Sequence, residues 1–171
     1  MRLAPRPHRG ARGASAVEFA LVAVIFFMLV FGIFEFGRAV WIQQGVSAAS
    51  REGARFGVGT GLSVTGSPTG VPQFRNCGAI RQAAVAKVPD LNLSTANVKV
   101  SYELYAPSAS PSASPTATPT CNPSTTPSLK DGDKVIVVVE RTMDFNLPLV
   151  PLSPITLDAR NERSLYLGST P

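Results

Sequence analysis

One long apolar run lies close to the start of the chain. Residues 19–34 read FALVAVIFFMLVFGIF without a charge, and the run extends back to Ala14 with a single acid, Glu18. A helix needs about 20 apolar residues to cross the hydrocarbon core of a membrane. The pattern therefore predicts a membrane-spanning helix from Ala14 to Phe34, with Trp41 placed where an interfacial aromatic side chain belongs.

The helical pattern continues past the membrane segment to about Gly57. Its outer half carries a partial apolar stripe at helical spacing, made of Phe36, Ala39, Val40, Ile42, Val46, Ala49, Gly53 and Phe56. We expect this stripe to pack on strands of the same chain, and contact with neighbouring molecules is the alternative. Ala49 and Gly53 are four residues apart, so their small side chains permit close approach of another element.

Three later segments have the pattern of strands. Residues 98–104 alternate between apolar and polar, which predicts a half-buried strand. Residues 134–143 predict a second strand, which should be central because Val135–Val139 is entirely apolar. A third begins at Ile155 and runs toward Leu167.

The segment Cys77–Val88 predicts a short helix that Pro89 ends, with Ile80, Ala84 and Val88 on one face. We therefore predict an α+β fold. A long N-terminal transmembrane α-helix continues into a small domain, which has a short helix and an antiparallel sheet of about three strands.

The same patterns divide the chain into three parts. Residues 1–13 form a basic leader, residues 14–57 form the membrane helix and its extension, and residues 58–171 form a small outer domain. Within that domain, residues 106–128 are dominated by Ser, Thr, Pro and Ala. Such a composition cannot build a core and predicts a disordered loop.

Charge gives an orientation. Four of the 16 basic residues lie in the first thirteen positions, where there is no acid: Arg2, Arg6, Arg9 and Arg12. The positive-inside rule places this end in the cytoplasm and the outer domain across the cell membrane. The rest of the chain is close to neutral, which argues against nucleic-acid binding. A cleaved signal peptide is the alternative, although the small residues 46–48 lie well beyond the apolar run.

The chain has two cysteines, Cys77 and Cys121. In a domain outside the cytoplasm they are candidates for one disulfide, and two free thiols are the alternative. Two cysteines and one distant histidine, His8, do not make a metal site. We also find no phosphate-binding loop and no nucleophile motif, so we expect neither an enzyme nor a cofactor, and no small-molecule substrate.

Three blocks at the start of the chain resemble a known family. They read RGASAVEFALV, FGIFEFGRAVW and SAASREGARFGV, and together they span residues 12–58. They are similar to the TadE-like proteins, which are minor pilins or pseudopilins of the tight-adherence (Flp) pilus system. The resemblance implies a structural role in pilus assembly or secretion. It also implies prepilin peptidase, other Tad pilins or pseudopilins and assembly proteins as partners.

The resemblance further implies proteolytic processing. Prepilin peptidases cut after a glycine that precedes the apolar helix, and the matching glycine is Gly13, so that Ala14 becomes the new N-terminus. Cutting at Gly10 instead would move Glu18 from the fifth position to the eighth, away from the pilin pattern. A carboxylate in an apolar span usually has a partner. Glu18 is therefore a candidate for setting the register between subunits, by pairing with the new amine.

A second interpretation stays open. The chain would then be a single-pass membrane anchor that does not assemble and that presents an extracellular binding domain. The state of the N-terminus separates the two interpretations, because only the pilin reading requires a mature chain that begins at Ala14.

Overall fold

The computed structural model describes residues 11–64, 70–105, 120–121, 128–145 and 153–168, with side chains from Gly13 onward. It confirms the predicted α+β fold, in which one long helix continues into a domain with a short helix and a three-stranded antiparallel sheet. Most of the predicted loop at 106–128 lies outside the described residues.

The long helix, α1, spans Ala11–Gly57 without a break. It begins three residues before the predicted membrane segment and ends where the helical pattern of the sequence ends. Arg55 lies in the last turn, where a cation interacts favourably with the C-terminal end of the helix dipole.

The sheet contains β1 (Val98–Glu103), β2 (Lys134–Met143) and β3 (Ile155–Ser164) in the order β1-β2-β3. Both pairings are antiparallel, and β2 is central as predicted. Leu104 was expected in the first strand but is exposed beyond its end.

The third strand stops at Ser164, short of the expected Leu167. At Leu165 the backbone N–H donates to the Asp133 carbonyl, while the Leu165 carbonyl accepts from Gly132. The chain therefore pairs with the turn before β2 instead of continuing the ladder, and Leu165 itself is buried there.

The short helix, α2, spans Cys77–Ala86. Asn76 caps it, because its side-chain Oδ1 accepts from the backbone N–H of Ala79 at 2.9 Å. Together, α2 and the outer half of α1 cover one face of the sheet. The core between these layers is mostly aliphatic and includes Val46, Ala49, Ile80, Ala84, Val98, Val100, Val135, Val137 and Val139.

The two helices and the sheet lie close together at Gly53. A Cβ atom at this position would lie 3.1 Å from Ala84 Cβ on α2 and 3.1 Å from Val137 Cγ1 on β2. The close approach predicted from Ala49 and Gly53 is thus confirmed. Phe36, at the start of the predicted stripe, is exposed instead, because the outer domain reaches α1 only from about Arg38 onward.

The direction of the elements follows from their contacts with α1. Gly57 lies beside Val135 at the start of β2, whereas Arg38 donates to the carbonyl of Asp144 just after its end. Strand β2 therefore runs back along α1 toward the apolar segment. Because the sheet is antiparallel, β1 and β3 run away from that segment.

Candidate functional site

The N-terminal part of α1 makes no close contact with the described part of the outer domain. Between Gly13 and Phe34 the large apolar side chains are exposed, and the most apolar stretch has no buried share. Of the described helices, α1 is the one long and apolar enough to cross a membrane. Its outer half packs on the domain, so a single rigid element joins the two parts of the chain.

The bond between Gly13 and Ala14 lies in the first turn of α1. The first four backbone N–H groups of a helix have no partner within it, so this turn opens more easily than the interior. Nothing outside the helix lies within 4 Å of a Cβ built on Gly13. A protease that needs an extended chain can therefore reach this bond at the cost of one frayed turn.

Glu18 is on the surface one helical turn beyond Ala14. Residues four apart lie on the same side of a helix, with Cβ atoms about 5–6 Å apart. Phe19 and Val22 flank the carboxylate in a shallow, mainly apolar depression. One short stretch of α1 therefore carries the carboxylate of Glu18, the apolar side chains beside it and the candidate new N-terminus.

Polar contacts begin where the apolar run ends. Arg38 pairs with Glu35 at 3.4 Å and also donates to the carbonyl of Asp144 at 3.2 Å. Nearer the end of α1, Arg55 pairs with Glu52 at 2.5 Å. The hydrogen bond from Arg55 lowers the pKa of the Glu52 carboxyl below its ordinary value. These pairs show that α1 carries charged side chains beyond its uncharged run.

Residues 13–55 match the family model described as TadE-like protein. This stretch of α1 is therefore similar to the TadE-like proteins. The match confirms the resemblance seen in the sequence and indicates a component related to the Tad pilus. It covers the candidate processing site, Glu18 and the packed outer half of α1, and it stops before the outer domain. No curated protein and no solved structure shows significant similarity to the chain.

The domain that follows α1 contains a disulfide between Cys77 and Cys121, whose Cα atoms are 5.8 Å apart. Cys77 begins α2, and the Cys121 backbone N–H donates to the carbonyl of Val100 on β1. The bond therefore joins the short helix to a segment that extends the edge of the sheet. It leaves no free thiol in the chain.

Tyr102 lies beneath the disulfide and was not singled out from the sequence. Its hydroxyl donates to the Phe74 carbonyl at 2.6 Å and contacts Cys121 Sγ. Burial raises the pKa of this phenol above its ordinary value. The alternation of residues 98–104 places Tyr102 on the inner face of the sheet, and this was the signal available in the sequence. Its partner Phe74 lies in a short 3-10 helix, Gln73–Arg75, whose position the pattern does not predict.

Asp133 is a second buried polar residue with a structural role. Its carboxylate accepts from the backbone N–H groups of Tyr105 and Lys130, and the side chain is buried. It organises the turn that precedes β2. Among the described residues, no three His, Cys, Asp or Glu side chains lie together as a metal site.

Proposed function

We propose that this chain is a TadE-like minor pilin or pseudopilin, a structural membrane component of Flp-type pilus assembly or secretion. The observation that carries the proposal is the family match over α1, a helix whose first half exposes an apolar surface that needs lipid or other helices around it. The role is mechanical and not catalytic, and its partners are the membrane, prepilin peptidase, other Tad pilins or pseudopilins and assembly proteins.

The precursor crosses the membrane once, with its N-terminus in the cytoplasm. The four arginines before the helix support this orientation through the positive-inside rule. The disulfide supports it independently, because disulfides persist in oxidising compartments and are rare in the cytoplasm.

Prepilin peptidase then cuts between Gly13 and Ala14. The new ammonium group lies one turn from Glu18, where it can pair with the carboxylate of the same or a neighbouring subunit. An unpaired carboxylate in an apolar span costs about 2.5–3.5 kcal/mol at the helix centre on insertion scales. Pairing between subunits would therefore fix the axial position of one helix against the next.

Mass spectrometry of the mature N-terminus tests the cleavage. In cells with the peptidase we expect a chain that begins at Ala14, and in cells without it an uncut precursor. Gly13→Leu should block the cut, whereas Gly10→Leu should leave it unchanged. A mature chain that begins elsewhere, or the same product without the peptidase, would contradict this step.

Replacement of Glu18 tests the register role. Glu18→Ala should insert into the membrane normally but fail to enter sheared pilus fractions. Glu52→Ala is the matched control, since it removes an acid from the same helix outside the apolar run. Normal incorporation of Glu18→Ala would show that the carboxylate has no part in assembly.

One observation favours a second candidate function. The family match ends at Arg55, while the residues beyond it contribute most of the core and contain the disulfide. The chain would then be a non-assembling single-pass anchor that presents a binding domain. An intact N-terminus in cells that make pili, together with absence from sheared pili, would support the anchor over the pilin.

A further inference from the structure

Exposed apolar side chains continue past the first charged residues of α1. Phe36, Val40 and Trp41 on α1 are 71%, 40% and 53% exposed, and Ile155 at the start of β3 is 39% exposed. We refer to these four residues as the collar. They lie at the base of the outer domain, which is its end nearest the apolar segment.

The contacts of β2 show that the three collar residues on α1 and Ile155 on β3 lie at the same height along the axis of α1. Arg38 lies within the helical part of the collar and donates to the carbonyl of Asp144. Ile155 is paired with Met143, the neighbour of Asp144. The start of β3 is therefore beside the helical turn that contains Phe36, Val40 and Trp41.

The uncharged run is too short to cross a membrane alone. Residues 19–34 at about 1.5 Å each span about 24 Å, whereas the hydrocarbon core is about 30 Å thick. The remaining few ångströms must be covered by residues at one or both ends. On the outer side the next large apolar residues are Phe36, Val40 and Trp41.

Three charged residues lie at this level, namely Glu35, Arg38 and the exposed Asp144. Glu35 and Arg38 form an ion pair, so their charges offset each other. In the sequence, residues 145–154, which connect β2 to β3, read FNLPLVPLSP without a charge. Surface connections are usually polar, whereas an apolar stretch of sequence is suited to a lipid environment.

We propose that the collar is a second membrane contact, in which the base of the outer domain rests on the acyl chains and headgroups of the outer leaflet. This inference depends on α1 spanning the membrane, as in the proposed function. It adds that the domain does not stand free on its helix. The lipid surface fixes the depth of α1 and holds the domain against the bilayer before assembly.

Fluorescence quenching in vesicles of phosphatidylcholine brominated on its acyl chains tests the contact with the full-length chain. Trp41 is the single tryptophan, so Trp41→Phe gives a silent background. Into it we place one tryptophan at a time: Phe27→Trp inside the apolar run, Ile155→Trp in the collar, and Tyr105→Trp at the far end of the domain. Formation of the disulfide on a non-reducing gel verifies that each variant is folded.

Phe27→Trp should be strongly quenched and Tyr105→Trp should not. The inference predicts that Ile155→Trp is quenched to a degree nearer to Phe27→Trp than to Tyr105→Trp. If Ile155→Trp behaves like Tyr105→Trp while Phe27→Trp is quenched, the collar does not touch lipid, although the helix still spans the membrane. If Phe27→Trp is not quenched either, the membrane-spanning helix itself is wrong, and the proposed function fails with it.

Discussion

Gly53 is a position where a single added side chain should destabilise the outer domain, because both helices and the sheet meet there. A Cβ atom there would lie 3.1 Å from both Ala84 Cβ and Val137 Cγ1, and carbon atoms pack best at about 3.5–4.0 Å. Gly53→Val adds two further carbons in the same space. Overpacking of this kind costs about 1–3 kcal/mol, while the helix propensity gained by replacing glycine returns roughly 0.5 kcal/mol.

The measurement is equilibrium unfolding in urea of the full-length chain in detergent micelles, followed by the emission of Trp41, which lies beside Leu91 of the domain. A loss of about 1–2 kcal/mol lowers the urea midpoint by roughly 1 M. Gly37→Val is the matched control, because nothing lies within 4 Å of its added Cβ. If both variants unfold at the wild-type midpoint, the three layers do not meet closely at Gly53. If Gly37→Val loses as much as Gly53→Val, the effect belongs to the helix and not to packing.

Three further predictions concern the disulfide and Tyr102. Replacing Cys77 and Cys121 together by alanine removes a cross-link between residues that are 44 positions apart. The double variant should lose about 3–4 kcal/mol of unfolding free energy. An unchanged urea midpoint, measured without reductant, would contradict a stabilising role for the disulfide. Tyr102→Phe leaves the Phe74 carbonyl without its donor and should cost about 1–3 kcal/mol in the same assay, whereas a neutral result would mean that water replaces the hydroxyl. Because burial raises the pKa of Tyr102, the unfolded chain releases this proton first, so stability should fall as pH rises above about 10. Tyr102→Phe should flatten that fall, and an equal decline in both proteins would assign it to other groups.

The local elements could be predicted because each has a strong period of its own. The apolar run and the stripe beyond it gave α1 to its last residue, and the five consecutive apolar residues Val135–Val139 gave the central strand. These signals depend on neighbouring residues only. The family resemblance came from the same part of the chain, where the match lies.

The packing of these elements against one another could not be predicted from the sequence. Periodicity shows that one face of an element is buried, but it does not show which other element covers that face. Ile136 illustrates this. It alternates onto the face of β2 turned away from both helices, yet it is buried there. Phe36 and Val40 show the opposite case, since they belong to the predicted apolar stripe of α1 but are exposed. Long-range contacts decide these positions.

The course of the strands also decides where foreign sequence can be added. Glu103 and Lys134 are paired at the end of the sheet beside Gly57, so β1 ends and β2 begins at the end of the sheet farthest from the apolar segment. From Phe34 to Gly57 the helix rises about 35 Å. Doubling the length of a flexible connection costs only about 0.6 kcal/mol. An epitope tag inserted between residues 106 and 119 would be attached to the described fold at Tyr105 and at Thr120, which pairs with Ser101 of β1, away from the processing site.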